Sequence, residues 1–338
     1  MKSKANLWPL AVIGLLLICG AAFSQLQPLT TESIRLHGGM PSPRLGGAPA
    51  DHVDNGVQPV EAPALSFTFG KIDFPRQLDS GTFGINDKGQ IVGGYGTNMA
   101  GDGVSDHGFL LQGNKFIAID YPGAGWTEAN AINKYGVIVG QYGATFSDGH
   151  GFKLVGTTYT SIDYPGASFT STNGINKSGD IVGVGVAGGV YHGFLLSKGV
   201  FTSIDVPGAL GTFPFAINTA GDIIGEYTNT GSDSHGFLYS GGTFTTIDYP
   251  GYSQNYVGGI NDKGVIVGGY GDPVTVNGVE YLWEHGYIYE SGKFTNVDTP
   301  FGPPPVTQPF QINNNGVMVG EYVDNASTVY GFGTKVGP

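Results

Sequence analysis

The sequence predicts an all-β fold, a six-bladed β-propeller of four-stranded blades. A motif of about 43 residues occurs six times, and each copy contains four short strand-like segments. The 59 glycines suit short strands and tight turns better than helices. The most regular part of the motif is Ile-Asn-x-x-Gly, whose asparagines are Asn86, Asn133, Asn176, Asn218, Asn261 and Asn313.

Residues 1–24 have the features of a secretory signal peptide. Lys2 and Lys4 precede an apolar run from Leu7 to Ile18, and Ala22-Phe23-Ser24 is a small-x-small cleavage site. We therefore expect a secreted, periplasmic or cell-surface protein after cleavage near Ser24. A lipid anchor on Cys19 is the alternative, which Ile18 disfavours because a small residue is expected there.

Residues 25–64 form the next segment, which is rich in proline and glycine and has no hydrophobic periodicity. This composition predicts a disordered linker. Residues 65–338 contain the repeats and form the predicted propeller. Cleavage of the leader also removes Cys19, the single cysteine, so the mature chain has no disulfide to stabilise it.

The charge of the chain limits its partners. The formal net charge is −12, and removal of a leader with two lysines and no acidic residue takes it to −14. Nucleic acids and anionic membranes require a basic surface, so neither is expected as a partner. After the leader no apolar run reaches 18 residues, so no membrane span is predicted. We expect a monomer.

Each repeat divides into two hairpins. In the first, Asp87-Lys88-Gly89 follows the Ile-Asn strand, and this pattern predicts a turn in which Gly89 has a positive φ and Asn86 caps the turn. Because the longer connections must cross between blades, the Ile-Asn strand is predicted to be innermost and the Ile-Asp strand outermost. The segment Ser66–Phe74 then supplies an outer strand that completes the C-terminal blade, about Pro309–Thr334, and closes the ring.

Histidine and aspartate also repeat. The histidines His107, His150, His192, His235 and His285 occupy one position in five repeats, and Tyr330 occupies it in the sixth. Equivalent positions in different blades lie too far apart to share one metal ion. We therefore predict that each histidine bonds to a backbone carbonyl or a polar side chain of its own blade, and that the repeated aspartates cap turns.

The connections that differ between repeats are the predicted binding surface. They contain Trp126, Phe169, Tyr252, Trp283 and Glu280, the last two within a long loop, Gly271–Glu284. Aromatic rings on a wet surface stack on sugars or contact protein partners. The same rings would also suit the seams between blades, and this alternative stays open.

Metal and catalytic motifs are weak or absent. Four aspartates in Gly/Ser-rich loops, Asp102, Asp106, Asp148 and Asp233, give a weak signal for calcium, but they lack the spacing of a calcium loop. The sequence contains no His-Glu-x-x-His, no phosphate-binding Gly-Lys-Ser/Thr loop and no Gly-x-Ser-x-Gly motif, although a propeller can also assemble an active site from several blades. We expect no catalytic residue, no metal site and no cofactor.

Two short segments carry a family resemblance. Gly84-Ile85-Asn86-Asp87-Lys88-Gly89-Gln90-Ile91-Val92-Gly93 and His107-Gly108-Phe109-Leu110 resemble the bacterial extracellular HAF repeat, over about residues 66–334. The chain has Gly where the family pattern His-Ala-Phe has Ala, and we interpret both as small enough for a crowded strand. The resemblance implies an exported, propeller-like protein and implies no activity or site residues.

Three functions remain open at this point. The first is a non-enzymatic binding module that uses the long-loop face for a carbohydrate or an extracellular protein. The second is a propeller enzyme, a glycoside hydrolase or polysaccharide lyase, with converging carboxylates from Glu128, Glu226, Glu280 or Glu321. The third is a purely structural surface protein.

Overall fold

The computed structural model describes residues 67–72, 74, 79–96, 107–145, 147–229, 234–252, 254–276, 279–300, 306–323 and 329–336. The predicted leader, residues 1–24, and linker, residues 25–64, lie outside these residues. The described part forms strands and turns, and it contains no helix long and apolar enough to cross a membrane.

The strands follow the repeats closely. The N-terminal strand and the first two repeat units comprise β1 (Phe67–Ile72), β2 (Asp79–Ile85), β3 (Ile91–Gly96), β4 (His107–Gln112), β5 (Lys115–Ile119), β6 (Trp126–Ile132), β7 (Ile138–Gly143), β8 (His150–Val155) and β9 (Thr158–Ile162). The third and fourth units comprise β10 (Phe169–Ile175), β11 (Ile181–Ala187), β12 (Val190–Ser197), β13 (Val200–Ser203), β14 (Gly211–Ile217), β15 (Ile223–Thr228), β16 (Ser234–Ser240) and β17 (Thr243–Thr246). The last two units comprise β18 (Asn255–Ile260), β19 (Ile266–Val276), β20 (Val279–Glu290), β21 (Lys293–Val297), β22 (Val306–Ile312), β23 (Val317–Val323) and β24 (Val329–Val336).

These strands have the β-propeller arrangement of four-stranded antiparallel sheets that the repeats predict. The prediction of six separate blades is met only in part. Four sheets are separate and four-stranded, whereas the third and fourth units share one eight-stranded sheet. A single parallel pair, Tyr191 with Gly211, joins these two units, because the start of β12 meets the start of β14.

The N-terminal strand closes the fold as predicted. β1 pairs antiparallel with β24, from Phe67 opposite Val336 to Ile72 opposite Gly331, and completes the sheet of β22, β23 and β24. A side-chain bond also links the first and last units, since Thr82 Oγ1 donates to the carbonyl oxygen of Gly320 at 2.7 Å.

The Ile-Asn turns have the predicted geometry. Oδ1 of Asn86 accepts hydrogen bonds from the backbone N–H of Lys88 and Gln90, and Gly89 has φ +73°. A side chain at Gly89 would be strained by this left-handed backbone, which accounts for the glycine.

The same asparagines also connect the units, which the sequence analysis did not predict. Nδ2 of each donates to the backbone carbonyl of the asparagine in the next unit. The distances are 3.0 Å for Asn86 to Asn133, 3.2 Å for Asn133 to Asn176, 3.2 Å for Asn176 to Asn218, 3.5 Å for Asn218 to Asn261, 3.3 Å for Asn261 to Asn313 and 3.0 Å for Asn313 to Asn86. The six asparagines thus form a closed cycle.

Two expectations about individual segments are wrong. The predicted loop Gly271–Glu284 is a hairpin, because β19 and β20 stay paired from Ile266–Tyr289 out to Val276–Val279. The glycine of His-Gly-Phe is not interchangeable with alanine in this geometry. A Cβ on Gly193 would lie 2.5 Å from the carbonyl oxygen of Ile204 and 2.8 Å from Cδ of Pro214.

Substitution of Asn133 tests the asparagine cycle. Asn133→Ala loses the bonds from Tyr135 N and Val137 N and the bond to Asn176 O, so we expect a loss of about 3 kcal/mol in the free energy of unfolding. Asn133→Asp keeps both turn acceptors and places a carboxylate against the carbonyl of Asn176, so a loss of about 2 kcal/mol is expected. Urea denaturation measures both values. An aspartate variant as stable as the wild type would show that only the turn matters.

Candidate functional site

The repeated histidines bond to aspartates of their own sheets. Each Nδ1 contacts the aspartate 13 residues later. The pairs are His107–Asp120 at 2.7 Å, His150–Asp163 at 2.6 Å, His192–Asp205 at 3.0 Å, His235–Asp248 at 2.7 Å and His285–Asp298 at 3.2 Å. The prediction of a polar partner within the blade is confirmed. In the sixth unit, Lys71 of β1 lies over the ring of Tyr330, with Nζ 3.3 Å from the ring centroid.

These histidine–aspartate pairs hold the outer strand against the third strand of the sheet. Their geometry is not that of a nucleophilic catalytic site. Oγ of Ser203 donates to Asp205 at 2.6 Å, and Oγ of Ser161 donates to Asp163 at 2.9 Å. The serine therefore bonds to the carboxylate, whereas an activated nucleophile bonds to the imidazole. Asp205 also accepts the N–H of Gly193, so the aspartate joins the third and fourth strands instead of capping a turn alone.

The described aromatic residues among the predicted binding residues are packed against their own chain. Trp126 is only 5% exposed and its Nε1 donates to the carbonyl oxygen of Thr145 at 2.9 Å, which corrects the prediction that its ring lies on a wet surface. Phe169 packs half-buried against a core cluster that includes Val184 and Phe213. Tyr252 is half-buried beside Tyr249 and Tyr270.

The other two predicted binding residues, Glu280 and Trp283, belong to the long hairpin of β19 and β20. Their side chains lie outside the described part of the chain. Of the aspartates considered for calcium, Asp148 binds N–H and Oγ1 of Thr145 and so closes its own loop. Asp102, Asp106 and Asp233 lie outside the described residues, and the described residues contain no group of three or more potential metal ligands.

The residues that do converge were missed by the sequence analysis. Every inner strand has a β-bulge, so that the residue three positions before the asparagine is unpaired in the ladder. A bulge re-aims the side chain of its extra residue, and here that residue lines a cavity on the axis. The bulge residues are Phe83, Asn130, Asn173, Phe215, Gly258 and Phe310. Their variation within an otherwise regular strand is the signal that could have revealed them.

This axial cavity has a volume of about 40 Å³. Glu128 and Gln311 line it together with the bulge residues. One arc contains the carboxyl group of Glu128 and two amides, and the remaining arc contains the phenyl rings, Gly258 and the amide of Gln311. Phe83 and Phe310 are in edge-to-face contact, with ring centroids 6.0 Å apart. The second and third units supply Glu128, Asn130 and Asn173, and the other units supply the rest of the lining, because the repeats differ at this position.

Glu128 is the acidic residue of the cavity. It is 5% exposed, and Nε2 of Gln141 donates to its Oε2 at 2.6 Å. Burial raises the pKa of Glu128 from its ordinary 4.5 to about 7, although the bond from Gln141 acts in the opposite direction. Near neutral pH this carboxyl is therefore poised between its protonated and ionised forms.

A second axial cavity, of about 90 Å³, lies at the asparagine turns. It is lined by the repeated Ile-Asn residues and by turn residues such as Asp87, Lys134 and Asp262. Asp262 is bound by the N–H of Thr219 and by Asn314, and these bonds help lower its pKa although desolvation opposes them. Its walls are thus part of the scaffold that joins the units.

Comparisons with known proteins support the fold. No family model and no curated protein matches this chain. Among solved structures, a putative TolB from Agrobacterium tumefaciens is similar with a TM-score of 0.52 and 11% identity, covering 81% of this chain and 99% of that one. An inactive variant of virginiamycin B lyase from Staphylococcus aureus, with quinupristin, has 15% identity, coverage of 79% and 88%, and a TM-score of 0.43. The Aleuria aurantia lectin has 10% identity, coverage of 76% and 94%, and a TM-score of 0.40. At these identities the likeness concerns the fold alone.

Substitution of Trp126 separates a packing role from a binding role. We expect Trp126→Ala to lower the free energy of unfolding by about 3–5 kcal/mol, because it removes a buried ring. Trp126→Phe keeps most of the volume and loses the bond to Thr145, which costs about 1 kcal/mol. Denaturant titration measures both effects. An alanine variant of wild-type stability that fails to bind ligand would restore the role predicted from sequence.

The raised pKa of Glu128 predicts a pH dependence of stability. Below pH 4.5 the carboxyl is protonated in both states, and its preference for the neutral form in the folded state stabilises the protein. This stabilisation is lost as the pH rises through about 7, and it amounts to about 3 kcal/mol.

Glu128→Gln removes this titration, so the stability of the variant relative to the wild type should rise by about 3 kcal/mol between about pH 4 and about pH 8. Urea denaturation of both proteins at the two pH values measures the change. The matched control is Glu226→Gln, the same substitution at a buried position outside the cavity lining. A constant difference between wild type and Glu128→Gln would mean that Glu128 titrates normally.

Proposed function

We propose that this chain is an exported, non-enzymatic β-propeller that binds a carbohydrate through its axial cavity. The observation that carries this proposal is the lining of the cavity, where carboxyl and amide groups face three phenyl rings. These side chains occupy the bulge position and its neighbourhood, where the repeats differ, whereas the repeated residues hold the scaffold together. Binding requires this asymmetry, because identical units would present identical groups around the axis.

The chemistry of the lining favours a sugar. Sugar hydroxyls donate to carboxylate and amide oxygens, and the C–H face of a sugar ring packs on aromatic side chains. Gln311 adds an amide nitrogen that can donate to a hydroxyl oxygen, because its Oε1 already accepts the N–H of Ile312. A cavity of about 40 Å³ holds one substituent, so the rest of the ligand would lie at the mouth. This size favours a small polar group over a protein surface.

Glu128 also gives an enzyme some support. A carboxyl with a pKa of about 7 suits general acid–base chemistry near neutral pH. Hydrolysis of a glycoside uses two carboxyl groups, and among the described lining residues Glu128 is the one carboxylate. We therefore place the enzyme second, and release of reducing sugar from polysaccharides, abolished in Glu128→Gln, would promote it.

Other features of the proposal concern the whole chain. The asparagine cycle supports six blades, with the eight-stranded sheet counted as two that touch at Tyr191 and Gly211. The signal-like residues 1–24 support export. The repeated Ile-Asn and His-Gly-Phe segments support membership of the HAF repeat family. We favour this binding role over that of a purely structural surface protein, because a structural protein would need no variation in its cavity lining.

Binding to a glycan array tests the function. The mature chain should bind a defined subset of glycans, and Phe83→Leu or Phe310→Leu should weaken that binding about tenfold, because each removes an aromatic surface. Phe201→Leu is the matched control, since Phe201 is half-buried on the outer strand β13, away from the axis. Affinities from calorimetry check the effect. Equal loss in all three variants, or no glycan bound, would refute the proposal.

A further inference from the structure

The amide groups of the axial cavity are oriented by the protein itself. Nδ2 of Asn130 donates to the carbonyl oxygen of Thr172 at 3.1 Å, and Nδ2 of Asn173 donates to that of Pro214 at 2.9 Å. One N–H of each nitrogen is therefore used by the next unit. Oδ1 of Asn173 also accepts the hydroxyl of Ser171 at 2.6 Å. The acceptors left for a ligand are therefore the oxygen of Asn130 and the second lone pair of the Asn173 oxygen.

The carboxyl group of Glu128 also presents an oxygen acceptor to the cavity. Oε2 of Glu128 accepts the bond from Nε2 of Gln141, and no described residue donates to Oε1 of Glu128. Oε1 of Gln141 is also buried, and it accepts no hydrogen bond from the described part of the chain. Gln141 does not line the cavity, so Oε1 of Glu128 is the carboxyl acceptor that a ligand in the cavity can reach.

The charge of the cavity points to a cation. Its described lining contains one carboxyl group, Glu128, and no lysine, arginine or histidine. Apart from the two asparagines, the rest of the lining is Gly258, the amide of Gln311 and the rings of Phe83, Phe215 and Phe310. The faces of aromatic rings attract cations. Glu128 is 95% buried, no lysine, arginine or histidine of the described residues pairs with it, and burial raises its pKa. An incoming cation would complete the ion pair that the cavity lacks.

We infer that the axial cavity takes a primary ammonium group, held by Glu128 and the amide oxygens against the phenyl rings. An ammonium has three donors and no acceptor, which matches an arc of oxygens. It is also small enough for a cavity of about 40 Å³. This inference rests on the proposed binding of carbohydrate and names its class, a sugar with a free amino group.

Three probes separate the ammonium from the sugar. Calorimetry or ligand-observed NMR compares methylammonium, an oligosaccharide of glucosamine, and the matching oligosaccharide of glucose. We expect the amino sugar to bind about tenfold more tightly than the neutral sugar, with methylammonium as a weak competitor. Glu128→Gln should abolish this preference, because it removes the charge and keeps an acceptor for Gln141. Glu226→Gln should leave the preference unchanged.

The possible results separate the ammonium site from the carbohydrate function. Equal affinity for amino and neutral sugars, unaffected by Glu128→Gln, would overturn the ammonium site and leave the carbohydrate function standing. Binding of methylammonium without binding of either sugar would support the ammonium site and overturn the carbohydrate function. Binding of none of the probes would overturn both. Circular dichroism of each variant establishes that it is folded.

Discussion

The hydrogen-bonded cycle of six asparagines is the interaction on which the architecture depends. Oδ1 of each asparagine holds its own turn, and Nδ2 reaches the backbone of the next unit. The cycle closes between Asn313 and Asn86, which are 227 residues apart in the chain. A side chain that serves two units at once couples the shape of every turn to the spacing between units. Displacing one turn would therefore break bonds on both of its sides.

The asparagine cycle also fixes what lies further along each inner strand. Because the turn sets the end of the strand, the bulge three residues earlier falls at the same level in every unit. Residues at this level face the axis whatever their identity. The fold can therefore keep its turns constant and vary the bulge residue, from Phe83 to Asn130 to Gly258, without changing the backbone arrangement. The asparagine that holds the turn and the bulge residue that lines the cavity are therefore only three positions apart in the sequence.

A different interaction holds the outer half of each unit. A histidine in the third strand and an aspartate after the fourth strand bond across the sheet edge, as in His235–Asp248. The last unit has the cation–π contact of Lys71 with Tyr330 in the equivalent place. Its outer strand, β1, comes from the other end of the chain. These half-exposed pairs are individually weak, and their value lies in holding short outer strands in register.

The sequence by itself determined the strand content, the turn geometry, the closing role of β1 and the fact that each histidine bonds within its own sheet. All of these are local or repeat with the period of the chain, so pattern and spacing contain them. Only the tertiary structure decided that Trp126 is buried, that Gly271–Glu284 is a paired hairpin, and that Glu128, Asn173 and Phe310 share one cavity. These residues come from units about 43 residues apart or more, and their meeting depends on how the sheets close around an axis. No periodicity within one repeat specifies that closure, because it arises from contacts between repeats.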